Sequence, residues 1–261
     1  MNLGNEIPKF ETYEFLKKRH KYCVCIFIIN EGERFLKQLN GMAYLGEKVD
    51  IVVADGDSTD GSTSHNRLME CNVNTLLVKK SSGKLGSHMR MAYSWALKRG
   101  YKGVIIIDGN GKDSFVNVPD FIFKLDEGFD HIQGSRFITG GYHQNTPMLR
   151  LLALKLLHVP LIRLASGFKY TDTTNGFRAY SSNLLLHPKI DIFRDVFDNY
   201  ALHYYLAIKA TKLNLKCTEI PVTRKYPGKG KIPTKISSFS GNIGVLIELI
   251  KVIIGKYDSK S

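Results

Sequence analysis

Four stretches of this chain are apolar along most of their length, and each stops abruptly in small, polar or charged residues: YCVCIFII at 22–29, VDIVVAD at 49–55, NTLLVKK at 74–80 and GVIIID at 103–108. Unbroken apolar runs rich in Val and Ile suit strands buried on both faces, the situation of a parallel sheet. HIQGSRF at 131–137 reads as a fifth strand. Helix-length segments of mixed polarity lie between or after these runs, at 31–45, 58–71, 84–99 and 117–127. Such alternation predicts βαβ units and a mostly parallel central sheet flanked by helices, an α/β fold. Ligands of open α/β sheets bind outside the carboxyl ends of the strands. Those ends read Asn30-Glu31, Asp55-Gly56-Asp57, Ser81-Ser82-Gly83 and Asp108-Gly109-Asn110, so oxygen donors and glycines gather on one edge.

The 261 residues, 43% of them hydrophobic, are enough for one large core, and no linker-like tract or internal repeat divides them. Lys and Arg number 37 against 24 Asp and Glu, a formal charge of +13 that implies an anionic partner. No nucleic-acid-binding signature is visible, and aromatics do not interleave with a basic run, so nucleic acid is not the expected partner. Cys23, Cys25, Cys71 and Cys217 form no C-x-x-C pair, and Cys23 and Cys25 share one strand face as small core residues. That usage suits a reducing compartment. The first 22 residues hold no apolar signal-peptide core, and a cytoplasmic protein is expected.

Two later segments are strongly apolar. TPMLRLLALKLLHVPLIRLASGF at 146–168 carries Arg150, Lys155, His158 and Arg163, and GNIGVLIELIKVIIGKY at 241–257 is interrupted by Glu248 and Lys251. Both are too short or too interrupted to span a bilayer. They suit core helices or helices that pair two copies of the chain. They equally suit interfacial helices lying on an anionic leaflet, which the basic balance favours.

VIIIDGNGKD at 104–113 carries the sharpest chemistry. Asp-Gly-Asn-Gly is ordinary turn chemistry, because Asp and Asn bond their own backbone and Gly accepts positive φ. It also gathers oxygen ligands for a hard metal ion at a strand's carboxyl end. The other strand ends favour the second reading.

Six motifs occur in a fixed order: FIINEGE (27–33), VVADGDSTDGS (52–62), GKLGSHMRMA (83–92), IIIDGNGKD (105–113), IQGSRFITGG (132–141) and TDTTNGFRAYS (171–181). Together they resemble a family 2 glycosyltransferase, with closest likeness to the dolichyl-phosphate mannose synthase group and bacterial polysaccharide-assembly transferases. The resemblance covers about residues 22–236. It implies a Rossmann-like GT-A domain over 22–236, preceded by an N-terminal extension at 1–21. A C-terminal apolar helix at 237–261 would follow it.

The same resemblance implies roles for particular residues. Asn30 and Glu31 would meet the nucleotide, and Asp55 its base or ribose, with Asp57 instead capping a helix that begins near Ser58. Gly83, Lys84 and Arg90 would lie near the donor diphosphate. Asp108 aligns with the first acid of the family's Asp-x-Asp motif and Asn110 with the second, and Asp113 would restore the missing charge around Mg2+ or Mn2+. Arg136 would contact phosphate, and Asp172 with the NGFR run at 175–178 would build the acceptor pocket. The basic run RKYPGKGKIPTK at 224–235 would close over the phosphates and bring in Lys235.

A transferase acting on a sugar hydroxyl needs a base. The segment NYALHYYLAIKA at 199–210, where relatives carry an acid, has none, which leaves Asp195, Asp198 or Asp172. A polyprenyl phosphate acceptor would need no base. The expectation is therefore an inverting, metal-dependent glycosyltransferase at the cytoplasmic face of a membrane, serving cell-surface glycan synthesis. It would move a sugar from a nucleotide-sugar donor to a polyprenyl phosphate or lipid-linked saccharide. Nucleotidyl transfer is one alternative, and a catalytically inactive basic homologue that binds membrane or nucleic acid is another.

Overall fold

The computed structural model describes residues 6–228 and 239–258. Its strands are β1 (Phe10–Glu14), β2 (Tyr22–Ile28), β3 (Asp50–Asp55), β4 (Val73–Lys79), β5 (Gly103–Asp108), β6 (His131–Ser135), β7 (Tyr142–Gln144), β8 (Arg178–Ser181), β9 (Cys217–Pro221) and β10 (Thr223–Lys225). The α-helices are α1 (Gly32–Met42), α2 (His65–Glu70), α3 (Leu85–Lys98), α4 (Val118–Asp126), α5 (Met148–Ala153), α6 (Val159–Ser166), α7 (Ser182–Leu185), α8 (Ala201–Lys212) and α9 (Phe239–Ile253).

One sheet runs β1-β4-β3-β2-β5-β8-β6-β9, and β7 pairs with β10 apart from it. The pairs β2–β3, β3–β4, β2–β5 and β6–β9 are parallel. Every residue of β2, β3 and β4 is buried, as their mostly apolar runs require, and Asp50, Asn74, Thr75 and Lys79 are buried with them. Alternate side chains serve two cores. Cys23, Cys25 and Phe27 pack with α3 and α8, while Val24, Ile26 and Ile28 pack with α1 and α4. This is the α/β architecture the sequence predicts, with antiparallel departures. β8 inserts between β5 and β6, antiparallel to both. β1, inside the expected extension, pairs antiparallel with β4.

The helix expected from 58 begins only at His65. Residues 55–62 form a loop instead, because Asp55 accepts from the Ser58 amide and hydroxyl and Asp60 from the Ser62 and Gly32 amides. Asp57 consequently caps no helix, and pairs with Lys80 at 2.9 Å. The apolar 146–168 segment is helical but not uniform: a π-helical turn, Leu154–His158, joins α5 to α6, which Gly167 ends at φ +69°. Helix α6 packs on α8 and α9. Among the described residues no helix is long and apolar enough to cross a membrane.

A buried polar seam lies beneath the sheet's second half. Arg178 is 2% exposed and donates to the backbone oxygens of Asn175, His203 and Thr173. Burial first, and then the Arg178 charge, holds His131 down to about 3 and His203 well below the ordinary range, while burial alone lowers His158 to about 4. Each is neutral when folded and charged when unfolded as pH falls below about 6.5, so the unfolded state binds the extra protons. Stability should then fall between about pH 6.5 and 4, by up to about 1.4 kcal/mol per pH unit for each histidine. Urea midpoints across that range test this; a flat profile would rule out neutral buried histidines.

Candidate active site

A cleft of about 1350 Å³ opens at the carboxyl ends of β2–β5. The strands deliver Asn30 and Glu31, Asp57, Lys80 and Lys84, and then Asp108 with Asn110 to its walls. The rim opposite belongs to the apolar helices, through Arg150, Ala153, His158 and Val245.

The floor is built at the end of β5. The Asp108 carboxylate is 30% exposed and accepts from Arg224 Nη2 at 3.2 Å and Asn110 Nδ2 at 3.3 Å. The Asn110 side-chain oxygen accepts from the Lys112 amide at 3.3 Å. Arg224, on β10, also pairs through Nη1 with Asp113, whose carboxylate is fully buried. Burial pushes the Asp108 carboxyl up, but the Arg224 and Lys112 charges outweigh it and hold Asp108 below the ordinary carboxylate range. Asp113 goes the other way: burial raises it by more than Arg224 takes back.

Three cations gather around one ring. Lys112 Nζ lies 5.3 Å from the centre of Tyr226, with the Arg224 and Arg150 guanidiniums at 5.7 and 5.8 Å. Arg150 also donates to the Tyr226 hydroxyl at 3.1 Å. Burial, then the neighbouring Arg224, lowers the Lys112 ammonium to about 8. Burial raises the Tyr226 phenol, but Arg224, Arg136 and Arg150 bring it down to about 8. This is a cradle suited to phosphate oxygens.

The oxygens of Asp108 and Asn110, two residues apart and both lining the cleft, are a small donor set. With the Asn110 amide turned so that its oxygen rather than Nδ2 faces Asp108, they fit Mg2+ or Mn2+, which takes one or two protein ligands and completes its shell with water and substrate phosphate. Asp113, the expected third ligand, is instead sealed against Arg224. Among the described residues no group of three His, Cys, Asp or Glu side chains is placed to hold a metal.

Other expected site residues sit elsewhere. Asp55 is 1% exposed and turned onto Ser58, not into the cleft. Arg136 and Asp172 form a buried two-point ion pair, Nε–Oδ2 at 2.6 Å and Nη2–Oδ1 at 2.9 Å, and neither lines the cleft. Asp172 also accepts from the Arg136 and Thr174 amides, which commits both its oxygens and explains a carboxyl held low against burial. Arg90 and Asp198 face a neighbouring smaller cavity, where Arg90 donates to the Glu6 carbonyl and Asp198 accepts from the Lys84 amide. Gly83 lines both spaces at φ +117°, where a Cβ would stand 2.5 Å from the Asp198 carboxylate. Lys235 lies outside the described residues. Sequence reasoning did not single out Lys112 or Tyr226 as site residues. Lys112 lay unremarked between Asn110 and Asp113, and Tyr226 inside a run read only for its charges.

The sheet and the cleft at its carboxyl edge are the architecture of the GT-A fold. No family model matches the chain. Sequence relatives are nonetheless specific in kind. Polyprenol monophosphomannose synthase of Mycolicibacterium smegmatis is 27% identical over 203 residues, 77% of this chain and 76% of the relative. Undecaprenyl-phosphate mannosyltransferase of Micrococcus luteus is 25% identical over 67% of this chain and 71% of its own. Glycosyltransferase AglJ of Haloferax volcanii is 24% identical over 88% and 71%. Among solved structures, glucosyl-3-phosphoglycerate synthase of Mycobacterium tuberculosis with Mn2+, UDP and glucosyl-3-phosphoglycerate aligns at TM-score 0.62 and 13% identity, over 92% of this chain and 81% of that one. The chain has the GT-A fold and is similar in sequence to glycosyltransferases, two of them named as polyprenyl-phosphate mannosyltransferases.

Proposed function

We propose that the protein transfers a sugar, mannose first among the candidates, from a nucleoside-diphosphate donor to a polyprenyl phosphate at a membrane surface. The observation that carries this reading is the cation cradle of Lys112, Arg150 and Arg224 beside Asp108, walled by two apolar helices. Two relatives are named for a polyprenyl phosphate and mannose, which supports the acceptor and the sugar.

In this reaction an acceptor phosphate oxygen forms a bond to the anomeric carbon from the side opposite the diphosphate. The carbon–oxygen bond to the donor breaks, its electrons stay on the leaving nucleoside diphosphate, and the sugar's configuration inverts. Arg224 and Lys112 stabilise the charge that develops on the leaving group, and Arg150 holds the acceptor phosphate. Asp108 and Asn110 would hold Mg2+ or Mn2+, which supplies further charge neutralisation at the diphosphate. A phosphate acceptor is already anionic, so no base is needed. The commitment of Asp172 to Arg136 and the position of Asp198 outside the cleft both agree with that.

The apolar helices supply the lipid side. Met148, Leu149, Leu156 and Leu164 are 69%, 60%, 67% and 85% exposed, and Ile254, just beyond α9, is 71% exposed. Unburied side chains of this size beside Arg150 and Lys155 suit the headgroup–acyl boundary of an anionic leaflet.

The test supplies GDP- and UDP-sugars, GDP-mannose included, with undecaprenyl phosphate in anionic vesicles. One donor should yield a lipid-linked monosaccharide, and Asp108→Ala should cost about 10²–10³-fold in turnover. The protein should sediment with the vesicles, and Leu156→Asp with Leu164→Asp should release it. Transfer to a small water-soluble phosphate but never to the prenyl phosphate would overturn the acceptor assignment.

A further inference from the structure

Lys112 stands where the donor's charge must be met, on the turn that carries Asp108 and Asn110, and it is 6% exposed with its side chain lining the cleft. Its neighbours define the charge balance there. Asp108 and Asp113 supply two carboxylates, and Arg224 and Lys112 two cations, with Arg150 a third at the Tyr226 ring and Asn110 contributing no charge. A divalent ion arriving alone would make this cluster strongly positive, with an ammonium and a guanidinium beside it. A diphosphate arriving alone meets both cations at once. Their positions are fixed before it comes: Arg224 by Asp108 and Asp113, and Lys112 by its place over the Tyr226 ring.

We propose that Lys112 and Arg224 bind the donor's diphosphate directly, so that nucleotide is held in this cleft without a divalent ion. The inference rests on the cleft being the donor site. Its consequence is an order of events: nucleotide enters first, and the ion joins a site that the phosphates have completed. Asn110 belongs to the same arrangement, since a second carboxylate there would repel the diphosphate and make the ion a precondition. Divalent metal then adds to affinity without creating it.

Isothermal titration of the full chain with UDP and with GDP, each in EDTA and in MnCl2, tests this without measuring turnover. One of the two nucleotides should bind in EDTA within about tenfold of its affinity in Mn2+. Lys112→Gln should weaken binding in EDTA by at least about tenfold and regain much of it with Mn2+, while Lys112→Arg keeps metal-free binding. Nucleotide binding that requires Mn2+ in the unaltered protein would overturn the proposal and leave the donor site standing. So would Lys112→Gln binding in EDTA as tightly as the unaltered chain. If neither nucleotide binds with or without Mn2+, the donor-site reading itself falls, and this proposal falls with it.

Discussion

Arg224→Ala is expected to lose both turnover and stability. Arg224 is 6% exposed, and its guanidinium holds two carboxylates, Asp108 at the cleft and Asp113 beneath it. Removing it leaves Asp113 buried and unpaired, a change that costs about 3–5 kcal/mol in comparable buried pairs. On the proposed mechanism it also removes a charge that meets the leaving diphosphate, worth about 10²–10³-fold in rate. The two effects separate in Arg224→Met combined with Asp113→Asn. That protein should recover most of its stability in urea denaturation and none of its turnover. An Arg224→Ala enzyme that is fully active in the prenyl-phosphate assay would remove Arg224 from the chemistry.

Asp172→Ala is expected to destabilise the protein by about 3–5 kcal/mol, because it strands the buried Arg136 charge. Arg136→Met with Asp172→Leu should be much closer to the unaltered chain, since paired apolar replacements of buried ion pairs are often neutral. A catalytic Asp172 makes the opposite forecast: Asp172→Asn would fold with an unchanged urea midpoint and turn over no donor. The pair of measurements, midpoint and rate, therefore decides between an anchoring and a catalytic carboxylate.

The strands β2–β5 were legible because burial on both faces leaves a mostly apolar run, and most of the polar residues that end those runs line the cleft, Asp55 excepted. Local patterning could not foretell which carboxylates would be spent on the protein itself. Asp55, Asp113 and Asp172 all occupy motif positions, yet the Ser58 hydroxyl, Arg224 and Arg136 hold them. Two of those partners are far along the chain, and the third closes a loop that reads as the start of a helix. β1 and β8 were invisible for a different reason. FETYE has mostly exposed positions, and RAYS is only four residues long, so neither carries a hydrophobic period of its own. Tyr226 was obscured by its neighbours: in a basic run the eye counts charges and passes over the ring that Lys112, Arg224 and Arg150 surround.

The antiparallel strand β1 has a bearing on how this molecule meets its own copies. Without it the sheet would finish at β4, seven residues that are all buried, and their unpaired amides and carbonyls would invite another chain to add a strand. With it, the border of the sheet is FETYE, whose Glu11 and Glu14 are exposed and engage Lys80 and Arg99. A charged, five-residue hem is a poor template for further pairing. Edge-to-edge growth of the sheet is thereby closed off on that side.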